Sequence, residues 1–416
     1  MRFCLVTSFF GAHSFGGDAV YVERLAQSLL RRGHQVSVVY SPDAFDAVRG
    51  GHPGRSYQAP EGLRIHALRS GLGRLASLWA HQTGRPSASL AAVLRDGEFD
   101  VLHFHNVSLI GGPGVFSLPD RGGQAVRLLT AHEHWLVCPL STLWMFDQQV
   151  CERPRCLTCV PAAGRPPQLW RGTSVLARGL EHLDTLIYPS ESMLRAHRER
   201  GIAAPALHLP HFLPDDWAES AEASGGAVMT DAPPPESPYL VAAGRLVKEK
   251  GFQDLIPIMA RFPHLELRLA GRGPFEASLR RLAAGLPNVR FLGQLDFPRL
   301  AALYRGALAL VVPSLLLEPF GFVVLEALSV STPAIVRRRG ALPELVTGSG
   351  GGSIYETDDE LVAAIQRLDA DPQLRQALGA AGRQAVRTIW SEQVHLDRYL
   401  ALVDELRQRR AVPAAR

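Results

Sequence analysis

Four charged side chains in the second half of this chain have the types and spacing to bind an anionic, hydroxyl-rich small molecule. Arg245 and Lys250 lie in Ala243-Gly244-Arg245-Leu246-Val247-Lys248-Glu249-Lys250-Gly251. That stretch follows an expected strand and precedes an expected helix, Phe252 to Phe262, so both cations reach over the strand ends, where anions bind in open α/β sheets. A planar guanidinium fork and an ammonium point charge together suit a diphosphate; for this segment alone, a solvated charged turn is the plain alternative. Glu318 and Glu326 bracket the run Glu318-Pro-Phe-Gly-Phe-Val-Val-Leu-Glu326. Gly321 permits a sharp turn into a helix whose first amides can face a phosphate. Ionised carboxylates only accept hydrogen bonds, which suits paired sugar or ribose hydroxyls. An acid/base carboxylate pair or plain surface carboxylates explain less well why two charges sit in so apolar a run, because buried charge needs a partner.

Two further groups stand out. His103 and His105, in Asp100-Val-Leu-His-Phe-His-Asn106, fall on one face of an expected strand end, although an isolated histidine is more often a satisfied structural residue. Cys138, Cys151, Cys156 and Cys159 are spaced C-x12-C-x4-C-x2-C. In a reducing compartment four thiolates can hold a structural Zn²⁺ tetrahedrally, with a redox pair, a disulfide or unlinked thiols as the alternatives. The fifth cysteine, Cys4, alternates into an expected core strand as a small hydrophobe.

The elements that must position these residues read as βα units. Short apolar runs alternate with longer amphipathic ones, the pattern of parallel sheets buried on both faces. Strands are expected at Phe3 to Ser8, Gln35 to Tyr40, Val101 to His105, Ala125 to Thr130 and Thr185 to Pro189. The first helix, with Val22, Leu25, Ala26, Leu29 and Leu30 on one face, is expected to stop at Gly33. Asp215 to Pro238 breaks the rhythm with Gly225-Gly226 and Pro233-Pro234-Pro235 and reads as an interdomain linker. Strands then resume at Tyr239 to Ala243, Leu265 to Ala270, Val289 to Leu292, Ala309 to Val312 and Ala334 to Val336, and Glu392 to Arg410 closes the chain as a helix. The boundaries are 1–215 for the first domain, 216–238 for the linker and 239–390 for the second domain, with 391–416 as the closing segment.

Composition bounds the rest. In 416 residues, 44 Lys+Arg against 40 Asp+Glu leave +4, too little to argue for nucleic acid yet compatible with an anionic ligand or an acidic membrane face. Leu308 to Leu328 approaches the length of a membrane span, but Glu318 and Glu326 in lipid would cost roughly 2.5 kcal/mol or more each, so a strand, a loop and a buried helix are expected there. The first residues open directly into a strand pattern rather than a secretory leader, so a cytoplasmic protein is expected. No repeat of solenoid period appears.

Taken together, Gly-Arg-Leu-x4-Lys-Gly, Leu269-Ala-Gly-Arg-Gly-Pro274, the Glu-x7-Glu element and the Gly16-Gly17 loop resemble the retaining glycosyltransferases of family 4, over nearly the whole chain. The resemblance implies the GT-B fold: α/β, with two doubly wound Rossmann-like domains facing across a cleft, the first for the acceptor and the second for a nucleotide sugar. It implies that Arg245 and Lys250, beside Gly244, bind the nucleotide diphosphate, Glu318 the donor-sugar hydroxyls and Glu326 the ribose. Phe320, Gly321 and Phe322 would supply backbone amides, and Gly16 and Gly17 would close on the same phosphates. His132, in Thr130-Ala-His132, looks like the family's histidine that faces the donor sugar near the reacting centre and is by that resemblance the first catalytic candidate, with Glu133 and His134 as competitors; Arg245, Lys250 and Glu318 are the other implied catalytic residues. The last helix would pack back on the first domain. Transfer would run by front-face attack, the leaving diphosphate taking the acceptor's proton while the two cations stabilise it. No catalytic metal is implied, and Asp369-Ala-Asp371 reads as a helix cap. The cysteine segment resembles an insertion found in a bacterial subset of the family.

Two departures from the family pattern are visible. The usual Asn-Gly after the strand ending the first domain is replaced by Leu209-Pro-His-Phe-Leu-Pro214, and the usual Gly-Gly before Pro-Glu appears as Arg339-Gly-Ala-Leu-Pro-Glu344. Gly340 still allows a backbone contact to a phosphate, and Arg337 to Arg339 reads as a solvated face, with phosphate contact as the alternative. The expected partners are a nucleotide-sugar donor and a glycan, a lipid-linked or a small-molecule acceptor, the last as in secondary metabolism, with peripheral contact at the inner face of a membrane compatible with the charge. A phosphorylase-like or epimerase-like GT-B enzyme and a non-catalytic nucleotide-sugar binder are the competing classes. A nicotinamide dehydrogenase is disfavoured because Gly11, Gly16 and Gly17 have the wrong spacing.

Overall fold

The computed structural model describes residues 1–50, 56–215, 217 and 237–411. The expected linker 216–238 lies outside the described residues except for Trp217, Ser237 and Pro238. In chain order the strands are β1 (Arg2–Val6), β2 (Gln35–Tyr40), β3 (Leu63–Ala67), β4 (Val101–Phe104), β5 (Val126–Thr130), β6 (Trp144–Met145), β7 (Gln149–Val150), β8 (Thr185–Tyr188), β9 (Ala206–His208), β10 (Tyr239–Ala243), β11 (Glu266–Ala270), β12 (Val289–Gly293), β13 (Ala309–Val312), β14 (Ala334–Arg337) and β15 (Gly352–Tyr355).

The chain divides into two compact units. The first comprises Met1–Thr142, Pro154–His211 and His395–Arg416. Its parallel sheet runs β3-β2-β1-β4-β5-β8-β9. The strand Phe3 to Val6 is apolar and buried on both faces, as parallel sheets require, and Val126 to Leu129 is buried as well, with Arg127 its one charged residue. Helix α1 (Gly16–Arg31) buries Val22, Leu25, Ala26 and Leu29 at helical spacing and ends just before Gly33, whose φ is +77°. Helix α2 (Pro42–Arg49) starts at Ser41, which accepts from Ala44 N, and α3 (Arg74–Thr83) follows the edge strand. The last helix enters this unit at His395, and its Tyr399 and Val403 are fully buried.

The second unit comprises Leu143–Arg153 and Phe212–Val394. Its parallel sheet runs β12-β11-β10-β13-β14-β15. Successive strand residues separate into two cores, with Val241, Leu310, Val312, Ala334 and Val336 on one face and Leu240, Ala242, Ala309, Val311 and Ile335 on the other. The antiparallel hairpin β6–β7 groups with this unit rather than with a continuous first domain, and Lys248 Nζ donates to Asp147 O at 2.8 Å. Leu308 to Leu328 resolves into β13, a loop and α4 (Phe322–Ser329). Among the described residues no helix is long and apolar enough to cross a membrane.

Both sheets reverse their strand order once, between β1 and β4 in the first unit and between β10 and β13 in the second. Loops leaving the carboxyl ends of strands at such a reversal diverge to opposite sides and leave a crevice where ligands bind.

Candidate active site

In the second unit the charged residues meet at that reversal. The loop after β10 carries Gly244, Arg245 and Lys250, and the loop after β13 carries Ser314 and Glu318. Lys250 Nζ donates to Glu318 Oε1 at 2.5 Å, and Ser314 Oγ donates to the same oxygen at 2.5 Å. The Glu318 side chain is nearly buried and that of Lys250 about a quarter exposed, so the pair satisfies a carboxylate that burial would otherwise penalise. Arg245 stays half exposed, 3.8 Å from Glu249. Backbone holds the two loops together, with Leu315 N donating to Glu249 O at 2.9 Å. Gly251, at φ +75°, passes so close to Pro313 that a Cβ there would lie 2.0 Å from its carbonyl oxygen.

Gly340 supports the loop from behind. Its φ is +55°, a Cβ would fall 2.3 Å from Glu318 N, and Ala341 N donates to Glu318 O at 2.9 Å. The residue noted in the sequence as a possible phosphate contact therefore acts as a backbone seat for Glu318 in this structure. Arg337 ion-pairs with Asp254 at 2.7 Å and lies over the Tyr355 ring, so it is engaged within its own unit rather than on a solvated face.

Phe320 is buried, and Gly321, at φ +125°, leads into α4 with no side-chain cap among the described residues. Glu326 stands half-buried on α4, where Tyr304 donates to it at 3.4 Å. Burial pushes the Tyr304 hydroxyl pKa well up, and the Glu326 carboxylate pushes it further, so Tyr304 is a permanent donor. Tyr304 and Ser314 escaped the sequence reading because an aromatic in an amphipathic helix and a serine in a loop carry no motif.

In the first unit, Gly16 and Gly17 are exposed at the start of α1. Beside them Asp18 accepts from Asn106 at 3.1 Å, and Asn106 also reaches Glu133 at 3.4 Å. Burial raises the Asp18 pKa against the opposing hydrogen bond from Asn106. His132 is half-buried, with both ring nitrogens engaged: Nε2 lies 3.0 Å from His105 Nδ1 and Nδ1 lies 3.2 Å from His211 Nε2. His105 Nε2 is buried without a partner among the described residues.

The network extends further. His103 bonds Tyr399 at 3.0 Å and Thr130 at 2.8 Å, and His395 bonds Tyr21 at 3.0 Å and Pro210 O at 2.8 Å. Burial depresses all five imidazoles, to about 3 for His132 and about 4 for His395, and well below the ordinary range for His103, His105 and His211. His103 is thus a satisfied buried histidine, whereas His105 bonds His132 directly through one ring nitrogen. His211 and His395 were missed; the Pro-His pair inside the atypical Leu209 to Pro214 stretch was the only local signal. His134 is buried with its ring 5.3 Å from that of His197, and Glu133 accepts from Ser141 at 3.1 Å.

The four-cysteine zinc set is not assembled. No disulfide joins any of the five cysteines, and among the described residues no group of three or more His, Cys, Asp or Glu could hold a metal ion. Cys151 stands on the segment that groups with the second unit, whereas Cys138, Cys156 and Cys159 belong to the first. Burial pushes the Cys156 thiol up and Cys138 adds to this, while the Arg171 guanidinium, held by Trp135 O and Leu136 O, opposes it. A fixed guanidinium near these thiols supplies positive charge without a metal. Asp371 of Asp369-Ala-Asp371 caps the helix Pro372–Ile389, accepting from Leu374 N at 2.9 Å.

Comparison with known proteins places the chain among glycosyltransferases. The family model "Glycosyltransferase Family 4" matches residues 15–211, and "Glycosyl transferases group 1" matches 231–385. A GDP-mannose-dependent monoacylated alpha-(1-6)-phosphatidylinositol monomannoside mannosyltransferase of Corynebacterium glutamicum is 32% identical over 231 residues, 51% of this chain and 60% of that protein. The phosphatidyl-myo-inositol mannosyltransferase of Mycolicibacterium smegmatis is 27% identical over 90% of this chain and 87% of that protein. The matched stretches span less than two thirds of the first relatives' own length. Among solved structures, the sucrose-phosphate synthase of Thermosynechococcus elongatus superposes with a TM-score of 0.71 at 23% identity, over 97% of this chain and 98% of that one. That likeness is one of fold.

Proposed function

This chain belongs to glycosyltransferase family 4 and has its GT-B fold, and on that footing we propose that it moves a sugar from a nucleotide-diphosphate sugar to a hydroxyl acceptor. The observation that carries the reading is the Lys250–Glu318 pair, seated at the β10/β13 reversal with Arg245 exposed beside it. An ammonium and a guanidinium there suit a diphosphate, and a carboxylate within reach of the same pocket suits the hydroxyls of the attached sugar. Glu326 takes the ribose, and the amides of Phe320 to Phe322 lie at a helix start, the part of a helix suited to phosphate oxygens.

The transfer retains configuration by front-face attack. As the sugar–phosphate bond breaks, charge grows on the diphosphate, and Arg245 and Lys250 stabilise it. The acceptor's proton passes to the leaving diphosphate. His132 is ill-suited to take it, because both its nitrogens are engaged by imidazoles and burial opposes its protonation. We assign His132 instead to shaping the acceptor-side wall. The relatives named for phosphatidylinositol substrates favour a lipid-anchored acceptor in glycolipid or polysaccharide assembly.

The test is a thermal-shift screen of the intact protein against nucleoside diphosphates and nucleotide sugars, followed by product analysis with the donor that binds. A rise in Tm with one nucleotide class, together with transfer or slow hydrolysis of its sugar, is expected. Absence of any nucleotide-dependent shift overturns the donor assignment, and binding without turnover on any acceptor leaves a nucleotide-sugar sensor instead.

A further inference from the structure

Helix α3 is built inside out. Its apolar residues Leu75, Leu78 and Trp79 follow the i, i+3, i+4 spacing of a face that normally packs inward, yet they point to solvent. Trp79 is 64% exposed, Leu75 60%, and Leu72 just before the helix 70%. The residues α3 does bury are the small Ser77 and Ala80. Ile65 on the neighbouring edge strand β3 is exposed as well. Scattered exposed leucines are ordinary, but several large side chains on one stretch of chain mark an interaction surface.

The charges around this face select the partner. From residue 62 to residue 95 there are five arginines, at 64, 69, 74, 85 and 95, and no carboxylate. Arg69 reaches Asp43 and Asp46 at 3.6 Å each, and Arg95 pairs with Asp96. Arg64, Arg74 and Arg85 are exposed and have no carboxylate partner among the described residues. A second copy of the chain would bring this basic face against itself across a two-fold axis, which like charge disfavours. Leucine and tryptophan on one face with arginines at the margin match the requirements of a bilayer interface: apolar side chains enter the acyl boundary, tryptophan sits at headgroup level and arginine meets lipid phosphate.

We propose that Leu72, Leu75, Leu78 and Trp79, flanked by Arg64 and Arg74, form a docking face for an anionic lipid bilayer. The inference adds a surface and a lipid class to the proposed function, which favours a lipid-anchored acceptor, and its test uses neither donor nor acceptor, so the two readings fail separately. Full-length protein is co-sedimented with vesicles of phosphatidylcholine alone and of phosphatidylcholine with phosphatidylglycerol. Binding is expected only to the anionic vesicles, weakening as salt is raised. The double variant Leu75→Ser/Trp79→Ser is expected to stay in the supernatant. Arg74→Ala is expected to weaken binding roughly fivefold, the equivalent of about 1 kcal/mol for one arginine near the surface. Because these side chains are exposed, Tm should match the unmodified protein, and circular dichroism confirms the fold. Wild-type protein that ignores anionic vesicles, or a double variant that sediments equally well, overturns the proposal. A double variant that instead halves the molecular mass in solution overturns it in favour of self-association.

Discussion

Lys250 Nζ and Glu318 Oε1 lie 2.5 Å apart although 68 residues separate them, and they join the two loops that diverge at the strand reversal of the second sheet. The pair organises the proposed donor pocket and also satisfies a nearly buried carboxylate. Replacing Lys250 by alanine should therefore cost both catalysis and some stability. Transfer should fall by about two to three orders of magnitude, the usual loss for one group stabilising developing charge, and Tm should drop by a few degrees because Glu318 loses its cation. Lys250→Arg should recover stability more than rate. Steady-state turnover and thermal denaturation separate the two; near-wild-type turnover of Lys250→Ala would remove this residue from the site.

Glu326 differs from Glu318 in being half-buried with a tyrosine donor. Glu326→Ala should abolish detectable transfer with little loss of folded protein, mainly through donor affinity. Tyr304→Phe should raise the donor KM a few-fold and cost about 1 kcal/mol, the ordinary net value of one hydrogen bond. Donor titration by calorimetry checks both, and unchanged affinity in Glu326→Ala would refute the ribose assignment.

Gly340 presents a purely backbone constraint. Gly340→Ala must place a Cβ within 2.3 Å of Glu318 N at φ +55°, so the Glu318 loop has to move. A loss of more than about 1 kcal/mol is expected, with a weakened response to donor in the thermal-shift assay. An alanine variant with wild-type Tm and donor response would show that the loop yields freely.

The buried imidazoles of the first unit set a pH dependence. They are neutral when folded, with pKa values of about 3 for His132 and about 4 for His395, whereas in the unfolded chain they protonate near ~6.5. The unfolded state thus binds more protons below that value. Stability is full above ~6.5 and is lost as pH falls toward the folded pKa values. At one unit below the ordinary imidazole pKa each such group contributes a loss of order 1 kcal/mol. Arg24 near His211 and Arg398 near His395 add in the same direction. Tm measured between neutral pH and about pH 5.5 should fall steeply, and His395→Gln, which keeps a polar partner for Tyr21, should flatten the slope. A Tm independent of pH across that range would contradict the network.

The cysteines should behave as thiols. Purified protein should contain well under one zinc per chain by elemental analysis, and a strong chelator should leave Tm unchanged. Stoichiometric zinc whose removal unfolds the protein would restore the metal reading.

Much of the architecture was legible in the chain because it rests on local periodicity. Buried parallel strands must be apolar throughout, and their helices must be amphipathic, so most strands of both sheets could be located from pattern. The strands that escaped were β3, β9, β15 and the hairpin β6–β7, which are short or partly exposed and so lack a continuous apolar run. The charged residues of the second unit were legible for a different reason. Glycines and charges at strand ends have few structural uses, so Arg245, Lys250, Glu318 and Glu326 stood out before any coordinates.

Sequence alone therefore determined the fold class, the two βα halves and the chemical character of the proposed donor pocket, since these depend on residue type and spacing along a single stretch of chain. Only the tertiary structure decided which groups touch. Tyr304, Ser314, Gly340, His211 and His395 come from distant parts of the sequence, and their contacts follow from how sheets and helices pack rather than from any periodicity. Packing also decided that α3 turns its leucines and tryptophan outward. The helical spacing was the same as for a core helix, yet the residues the fold buries on it are the small Ser77 and Ala80.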